Sequence, residues 1–321
     1  MKAIKVIDGK AALQEAEIPT IGPNDILIRI KATAANRADL MQKKGLYPPP
    51  PGASEILGLE CSGIVDAVGS KVTSRKVGDE VCALLAGGGY AEYVACPEFQ
   101  AIPKPTNLNW EEASSLPEVY ATCWLNLFIE GNLNTDNKVL FHAGASGIGT
   151  AGIQLCKAFN CESFVTAGDK EKIKFCIDLG ASEGAVRGEK MFDEVQGWTP
   201  QGFDIILDPV GANYFEDNLK ALGLEGRLII IGLMGGMEAN INLGHLMMKR
   251  QKIIGSTIRA RSEELKKIVM NELYKKVWPF IESNQIKPVI HEVLDISETE
   301  KAHQIMEENK NIGKLVLSLG D

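Results

Sequence analysis

Two kinds of hydrophobic pattern follow one another along the chain. In residues 1 to 117 the apolar positions form short runs rich in valine and isoleucine, such as "AIKVI", "DILIRIKATAAN" and "YAEYVAC". Gly, Pro, Asn and Asp separate these runs, which is typical of β-strands joined by turns. This region therefore predicts a twisted, mostly antiparallel β domain.

From residue 118 to residue 261, short apolar runs alternate with amphipathic segments. Strands are predicted at "KVLFH", "SFVTAG", "FDIILD", "RLIIIG" and "KIIGST", and helices at "TAGIQLCKAFN", "KEKIKFCIDLG" and "NYFEDNLKALG". Such alternation builds a parallel sheet covered by helices on both faces. Residues 262–321 predict one long helix from Ser262, then a strand, a second helix and a last strand, which complete the first domain.

A glycine-rich turn joins the first strand of the α/β region to its helix. In "KVLFHAGASGIGTAG", Gly147, Gly149 and Gly152 have G-x-G-x-x-G spacing. At a strand-to-helix junction this spacing lets a pyrophosphate reach backbone N–H groups at the positive helix N-terminus, although close packing of helix on strand also selects glycine. The pattern predicts a doubly wound Rossmann domain that binds a dinucleotide. The predicted contacts are Gly144, Ala145, Ser146, Gly147, Ile148 and Gly149.

The end of the second predicted strand favours NADPH over NADH. An NAD site usually carries Asp or Glu there for the ribose 2′-hydroxyl, and Asp169 superficially fits. The apolar run ends at Val165 and a turn follows, however, so Asp169 is interpreted as the N-cap of the next helix. Lys170, Lys172 and Arg187 are near enough in sequence to hold the 2′-phosphate, and Gly168 is a further predicted cofactor contact. A solvated helix face is the alternative for the lysines, for Lys170 especially.

Composition narrows the class of partner. The 321 residues hold 34 basic and 42 acidic side chains, a net charge of -8, which argues against nucleic acid or an anionic membrane as the partner. The 7 cysteines are an odd number without a C-x-x-C pair, and they predict reduced thiols in the cytoplasm. Neither a signal peptide nor a membrane-spanning run of about 18 apolar residues is predicted. The 4 histidines are scattered at wide spacing and no two cysteines lie two to four residues apart, as the ligands of a structural zinc site usually do, so no metal is expected.

Five stretches resemble one known family. They are "NRADLMQKKGLYPPPPGAS", "ILGLECSGIVDAVG", "VGDEVCALLAGGGYAEY", "HAGASGIGTAGIQL" and "EENKNIGKLVL", which together run from residue 36 to residue 317. The chain resembles the medium-chain dehydrogenase/reductases, in their zinc-free quinone oxidoreductase (zeta-crystallin-like) branch. The tumour-suppressor-induced quinone oxidoreductase subgroup is similar in the first stretch and in "GLMGG". The resemblance implies a GroES-like substrate domain of residues 1–117 completed by 262–321, and a Rossmann domain of residues 118–261.

The resemblance also implies that zinc is absent. Zinc-dependent members carry a Gly-His-Glu segment whose histidine binds the catalytic metal, and this chain reads Gly58-Leu59-Glu60 at that place. Leucine has no metal-binding atom. Relatives of this branch are usually dimers joined through edge strands of the nucleotide domain, so the apolar segment "INLGHLMMKRQKIIGSTI" predicts a homodimer.

Individual residues acquire roles from the same resemblance. Asn36 and Asp39 are implied to face the nicotinamide, where they orient the acceptor or relay a proton, and Tyr47 lines the active site. Thr122 is implied to start a helix beneath the nicotinamide. Further implied cofactor contacts are Gly232, Leu233, Met234, Asn309 and Lys314. Simpler alternatives stay open: Asp39 pairs with Arg37 or a lysine, Thr122 is a helix cap or core hydroxyl, and Tyr47 merely packs in its loop.

These observations predict an NADPH-dependent quinone reductase. A quinone is electrophilic enough to accept a hydride without zinc, whereas a plain carbonyl needs a metal to polarise it. The quinone, or another electrophilic small molecule, is expected in the cleft between the two domains. One alternative is reduction of a 2-alkenal or an enoyl thioester, with Tyr47 as the proton donor. Another is a non-catalytic protein that binds NADPH.

Overall fold

The computed structural model describes residues 1–320. The chain divides into two compact units: unit 1 is Met1–Ala121 with Ile258–Asp321, and unit 2 is Thr122–Thr257. The domain boundaries drawn from the sequence, at 117/118 and 261/262, stay predictions. No helix within residues 1–320 combines the length and the apolar character that a membrane crossing requires. All seven cysteines are free thiols.

The strands and helices follow one another along both units. The strands are β1 Lys2–Ile7, β2 Lys10–Glu15, β3 Asp25–Ala35, β4 Glu60–Val68, β5 Glu80–Leu84, β6 Tyr93–Pro97, β7 Ala101–Pro103, β8 Lys138–Phe141, β9 Glu162–Ala167, β10 Glu183–Val186, β11 Phe203–Asp208, β12 Leu222–Ile230, β13 Lys252–Gly255, β14 Ile290–Asp295 and β15 Lys314–Ser318. The helices are α1 Arg37–Lys43, α2 Trp110–Ser114, α3 Pro117–Cys123, α4 Gly147–Ala158, α5 Lys170–Leu179, α6 Met191–Trp198, α7 Ala212–Ala221, α8 Leu243–Met248, α9 Glu263–Lys276, α10 Trp278–Glu282 and α11 Thr299–Glu307.

Unit 1 is built on a seven-stranded sheet in the order β14-β15-β3-β4-β5-β7, with β6 also paired to β3. Only β14 and β15 pair in parallel; the other neighbours are antiparallel, as predicted. The long strand β3 supplies Ile26, Ile28 and Ile30 to one buried core cluster, because alternate residues of a strand point to the same face. β1 and β2 form a separate antiparallel pair.

Unit 2 carries a six-stranded parallel sheet in the order β10-β9-β8-β11-β12-β13. This is the doubly wound order of dinucleotide-binding sheets, which bind their ligands at the carboxyl ends of the strands. The predicted α/β architecture is confirmed, but strand β10 and helices α6 and α8 were missed. β10 has four residues, of which only Ala185 is fully buried, so it shows too little apolar pattern to be recognised.

Two boundaries differ from the predictions. The second strand of unit 2 continues through Ala167, because Thr166 and Ala167 are also buried, instead of ending at Val165. The long helix predicted from Ser262 is interrupted after Lys276, and α10 starts at Trp278 with a proline in its first turn. Proline has no N–H to continue the helical ladder, so a new helix begins there.

Candidate active site

The glycine-rich turn lies between β8 and α4 in unit 2. Ser146 is the N-cap of the twelve-residue helix α4, and its Oγ accepts a hydrogen bond from the N–H of Gly149 at 3.1 Å. The other amides of the first turn, Gly147 and Ile148 among them, have no partner inside the helix. Together with the positive end of the helix dipole, they form a site suited to a phosphate.

Internal packing by itself accounts for several glycines of this turn. A β-carbon at Gly149 would lie 2.2 Å from the carbonyl oxygen of Gly144, and one at Gly152 would lie 2.3 Å from the ring of Phe141. A β-carbon at Gly144 would lie 2.5 Å from that of Val165. These three glycines are required by the close approach of helix, turn and strand. The G-x-G-x-x-G spacing is therefore weaker evidence for dinucleotide binding than the amides at the N-terminus of α4.

The end of β9 distinguishes between the two nicotinamide cofactors. Asp169 is the N-cap of α5, as predicted, and its Oδ1 accepts the N–H of Lys172 at 2.8 Å. Gly168 is exposed, and the only atom within 4 Å of a β-carbon built there is Nη2 of Arg187, at 3.9 Å. The open space at Gly168 is thus lined by a guanidinium group, whereas the carboxylate is engaged with the helix. Such a site fits a 2′-phosphate better than a ribose hydroxyl.

A buried polar chain connects the carboxyl ends of β8, β9 and β11. His142 contacts Oγ1 of Thr166 through Nδ1 at 2.9 Å and Oδ1 of Asn218 through Nε2 at 2.6 Å. Nδ2 of Asn218 donates to Asp208 at 3.1 Å. The amide oxygen of Asn218 therefore accepts from His142, so the ring carries its proton on Nε2. Burial lowers the pKa of His142 to about 4, which keeps the ring neutral.

Asp208 organises the loop after β11. Its carboxylate accepts the N–H of Val210 at 2.6 Å and the N–H of Gly211 at 3.1 Å. Burial raises the pKa of Asp208 to about 6. Asp208 was not predicted as a site residue, although an acidic side chain at the carboxyl end of a predicted strand is a signal that would have found it.

The segment after β12 is tied to that same loop. The N–H of Met234 donates to the carbonyl of Pro209 at 3.2 Å, and a β-carbon at Gly232 would lie 2.8 Å from the same oxygen. The side chains of Leu233 and Met234 are about half exposed. The predicted contacts Gly232, Leu233 and Met234 thus lie at the carboxyl ends of the parallel strands, the edge at which doubly wound sheets bind ligands.

Thr122 differs from its prediction. It is the penultimate residue of α3, which begins at Pro117, so Thr122 does not start a helix. Its side chain is buried, and its carbonyl accepts Nδ2 of Asn126 at 2.8 Å from the π-helical segment Trp124–Glu130. Proline is favoured in the first turn of a helix, which explains the earlier start. Contact between Thr122 and the cofactor stays a prediction.

Unit 1 contains a buried ion pair next to the predicted acceptor residue Asn36. Nζ of Lys314 donates to Oε1 of Glu60 at 2.7 Å, to Oδ1 of Asn36 at 2.7 Å and to the carbonyl of Ala35 at 3.1 Å. The other carboxylate oxygen of Glu60 accepts the N–H of Glu118 at 2.9 Å. All three ammonium donors of Lys314 are used within this network, so its predicted cofactor contact stays a prediction.

Asp39 is buried and fully engaged. Its carboxylate accepts the N–H of Asn36 at 2.8 Å, the N–H of Gly58 at 2.9 Å and the hydroxyl of Tyr90 at 3.0 Å. Burial raises its pKa above the ordinary value. Asp39 therefore fixes the start of α1 to the segment before β4. Arg37, its proposed partner, instead donates to Oδ1 of Asn309 at 2.8 Å.

Tyr47 lies against a residue that the sequence analysis missed. The guanidinium carbon of Arg259 is 5.3 Å from the centroid of the Tyr47 ring, which is a cation–π distance. Nη2 of Arg259 also donates to Oε1 of Gln42 at 2.7 Å. More than 200 residues of sequence separate the arginine from the tyrosine, and "IRARSEE" has the appearance of a solvated turn. No pattern in a single sequence would have joined them.

Comparisons with known proteins identify the class. A family model described as "Alcohol dehydrogenase GroES-like domain" matches residues 22–106, and one described as "Zinc-binding dehydrogenase" matches residues 147–275. A solved structure of an NAD-dependent alcohol dehydrogenase superposes with a TM-score of 0.86 and 30% identity over 100% of both chains. Quinone oxidoreductase of Escherichia coli, complexed with NADPH, gives a TM-score of 0.87 at 25% identity over 99% of this chain and 98% of that one.

Relatives found by sequence comparison indicate the same class of protein. Quinone oxidoreductase of Mus musculus is 28% identical over 99% of this chain and 98% of the relative. The synaptic vesicle membrane protein VAT-1 homolog of Danio rerio is 29% identical over 98% of this chain, and the match spans 66% of that relative's length. The chain therefore belongs to the medium-chain dehydrogenase/reductase superfamily of oxidoreductases, in its quinone oxidoreductase branch, with a GroES-like domain and a Rossmann domain.

The residues present do not fit the zinc that one family description names. Within residues 1–320 no group of three His, Cys, Asp or Glu side chains is arranged to hold a metal ion. Leu59, at the place of the zinc-binding histidine, is buried and apolar, and the neighbouring carboxylate of Glu60 is bonded to Lys314.

Proposed function

We propose that this chain is an NADPH-dependent, zinc-independent quinone oxidoreductase that transfers a hydride from NADPH to a quinone. The observation that carries the cofactor choice is the guanidinium of Arg187 beside exposed Gly168, with Asp169 engaged as a helix cap. The acceptor class is supported by the relatives of the quinone oxidoreductase branch and by leucine at position 59.

The chain's own residues bind and orient the cofactor, and NADPH when bound supplies the hydride. The first-turn amides of α4, capped by Ser146, would hold the pyrophosphate. Arg187 and Lys172 would hold the 2′-phosphate, because guanidinium and ammonium groups pair strongly with phosphate. The backbone of Gly232–Met234 would bond the nicotinamide amide. Orientation is the main contribution of the protein, since the transferred hydride belongs to the cofactor.

On unit 1, we assign the acceptor to the surroundings of Tyr47 and Asn36. Tyr47 is partly exposed and offers an aromatic face on which a quinone ring can stack. Asn36 is held by Glu60 and Lys314, which fixes its amide. Asp39 is fully buried, so we assign it the role of positioning Asn36 through the backbone. Transfer of the hydride leaves a hydroquinone anion, which takes one proton from solvent to give the hydroquinone.

Reduction of a 2-alkenal or an enoyl thioester is the second candidate, and the setting of Tyr47 favours it. Addition of hydride to the β-carbon leaves negative charge on the carbonyl oxygen and requires a proton at the α-carbon. Tyr47 carries a hydroxyl, and the neighbouring Arg259 carries a positive charge that stabilises such an anion. Phenylalanine at position 47 would impair this reaction far more than quinone reduction.

Cofactor oxidation by purified protein tests the proposal. The absorbance of NADPH is followed with an ortho-quinone and, separately, with a short 2-alkenal, and NADH and a chelator serve as controls. Oxidation driven by the quinone, faster with NADPH than NADH and unaffected by the chelator, supports the proposal. Turnover with the alkenal alone assigns ene reduction. Tight NADPH binding without turnover of either acceptor contradicts both and leaves a binding protein.

We further propose that the protein is a cytoplasmic homodimer. Strand β13 lies at the edge of the six-stranded sheet, where an unpaired strand can join that of a second copy. The adjacent helix α8 leaves Leu243, Met247 and Met248 exposed, each by about two thirds or more. The free thiols suit a reducing compartment. Light scattering measures the mass in solution, and a monomer at micromolar concentration contradicts the dimer.

A further inference from the structure

Arg259 is an almost completely buried arginine at the centre of three segments of unit 1. Its side chain is 4% exposed. Nε donates to the carbonyl of Ala86 at 2.7 Å, and Nη2 donates to Oε1 of Gln42 in α1 at 2.7 Å. Nη1 donates to the carbonyl of Tyr47 at 3.4 Å, and the guanidinium carbon lies 5.3 Å from the centroid of the Tyr47 ring. One side chain thus joins α1, the loop after it and the segment after β5.

No carboxylate within residues 1–320 forms an ion pair with this guanidinium; its hydrogen-bond acceptors are neutral amide oxygens. Asp39 is the acidic group that acts on it at longer range, and its own carboxylate is already bonded to two backbone amides and a hydroxyl. A buried charge without a paired counter-charge is unfavourable for folding. Its position beside a partly exposed tyrosine indicates a use for the charge at that place.

We propose that Arg259 is a positioning residue for Tyr47, which holds the ring and backbone of the tyrosine in place and keeps a positive charge beside the acceptor. This inference rests on the proposed function only in placing the acceptor at Tyr47. Proline residues 48 to 51 make the following loop stiff, so fixing Tyr47 at Arg259 fixes one wall of the acceptor site. As hydride arrives, negative charge grows on the acceptor oxygen and is favoured by the nearby cation.

A double-mutant cycle with Tyr47 tests this role. Arg259→Lys keeps the charge but loses the planar, multiply bonded guanidinium. We expect it to lower kcat/KM for the acceptor by about tenfold, while the KM for NADPH changes by less than about twofold. In a Tyr47→Ala background the same change should have an effect of less than about twofold, because the group that Arg259 positions is gone. Independent, multiplicative effects would overturn the proposal.

Arg75→Lys is the matched control. Arg75 also lies in unit 1 and donates through Nε and Nη2 to a backbone carbonyl, that of Ala101, at 3.1 and 2.6 Å. It has no part in the proposed site, so its conversion to lysine should leave acceptor kinetics unchanged. An equal loss of kcat/KM in Arg75→Lys would show that the effect of Arg259→Lys is a general loss of unit 1 structure, and would overturn the proposal.

Limited trypsin cleavage supplies a readout that does not need turnover. Lys44 is exposed at the start of the Tyr47 loop, and Arg259 joins this loop to the rest of unit 1. Arg259→Lys should therefore speed cleavage after Lys44 severalfold, whereas Arg75→Lys should not. Unchanged cleavage would overturn the positioning role. Faster cleavage in a protein that reduces no quinone would refute the quinone function and still support the positioning of Tyr47.

Discussion

At the scale of the residue, the buried ion pair between Glu60 and Lys314 should contribute strongly to the stability of the protein. The side chains are 0% and 5% exposed, and their charged atoms are 2.7 Å apart. Lys314→Met would leave the Glu60 carboxylate buried without its partner, which typically lowers the free energy of unfolding by about 3–5 kcal/mol. Urea unfolding measures the loss. Adding Glu60→Gln to the Lys314→Met variant should restore part of the lost free energy of unfolding, since the unpaired carboxylate is removed.

A surface pair provides the comparison for this measurement. Lys301 is half exposed and bonds Glu292 at 2.8 Å. Lys301→Met should change the free energy of unfolding by less than about 1 kcal/mol, because exposed pairs are screened by water. Equal losses for Lys301→Met and Lys314→Met would contradict the importance assigned to burial of the Glu60 pair.

The position of Arg187 beside Gly168 leads to a prediction about which cofactor the protein prefers. Arg187→Gln removes the cation beside Gly168, so we expect the KM for NADPH to rise about tenfold or more and the KM for NADH to change little. Steady-state kinetics with both cofactors measure the ratio. Arg250→Gln, which alters an exposed arginine of unit 2 paired with Glu225, is the control. A parallel loss with both cofactors would mean that Arg187 does not contact the 2′-phosphate.

At the scale of the element, two helical glycines should respond to alanine in opposite directions. In α4, a β-carbon at Gly152 meets the Phe141 ring at 2.3 Å, so Gly152→Ala should destabilise unit 2 by about 1–3 kcal/mol through overpacking. In α6, Gly197 has nothing within 4 Å of its β-carbon position, and Gly197→Ala should stabilise by about 0.5–1 kcal/mol through helix propensity. Thermal unfolding distinguishes the two, and stabilisation by Gly152→Ala would refute the packing argument.

The elements also show what a single sequence can predict. Strands such as β3 and β11 were predicted because long buried runs leave a clear apolar pattern, and the Asp169 cap because side chain and helix start are neighbours. β10 was missed because only one of its four residues is fully buried. The break before α10 was missed because "KKVWPFI" keeps an apolar pattern through the proline. Local pattern therefore determines most of the fold.

The site was predicted less completely, since its contacts join distant segments. Gly168 and Arg187 lie near each other in sequence, and both were selected. Arg259 and Gln42 are 217 residues apart, and their hydrogen bond exists only in the folded unit. The amide of Asn218, which links His142 to Asp208, likewise has no local signature. Residues that position others through long-range contacts carry no periodic or motif signal.

At the scale of the whole molecule, buried histidine should make unit 1 sensitive to acid. Burial, aided by the charge of Lys43, lowers the pKa of His303 to about 4. In the unfolded chain the histidine has its ordinary pKa of about 6.5. Between pH 6.5 and pH 4 the unfolded chain therefore binds a proton at this histidine, and the folded chain does not. Stability contributed by neutral His303 is present above pH 6.5 and falls as the pH drops towards 4, by roughly 2 kcal/mol at pH 5. Urea unfolding between pH 8 and 5 should show a shallower acid loss in His303→Gln. An unchanged slope would contradict this assignment.

Asp208 should have the opposite effect in unit 2. Its pKa is raised to about 6, so the folded chain binds a proton before the unfolded chain does, and unit 2 gains stability as the pH falls from 6 towards 4. Unit 2 also loses stability in acid, because buried His142 stays neutral while the same histidine in the unfolded chain binds a proton. The gain from Asp208, roughly 1 kcal/mol at pH 5, offsets part of that loss. Asp208→Asn removes the offset, so unit 2 should lose stability more steeply with acid than the wild type. Hydrogen exchange of the amides in β8 and β11, measured at pH 7 and pH 5, follows unit 2 separately. A shallower acid loss in Asp208→Asn would show that the carboxylate is ionised throughout this range and that the loop after β11 depends on its charge.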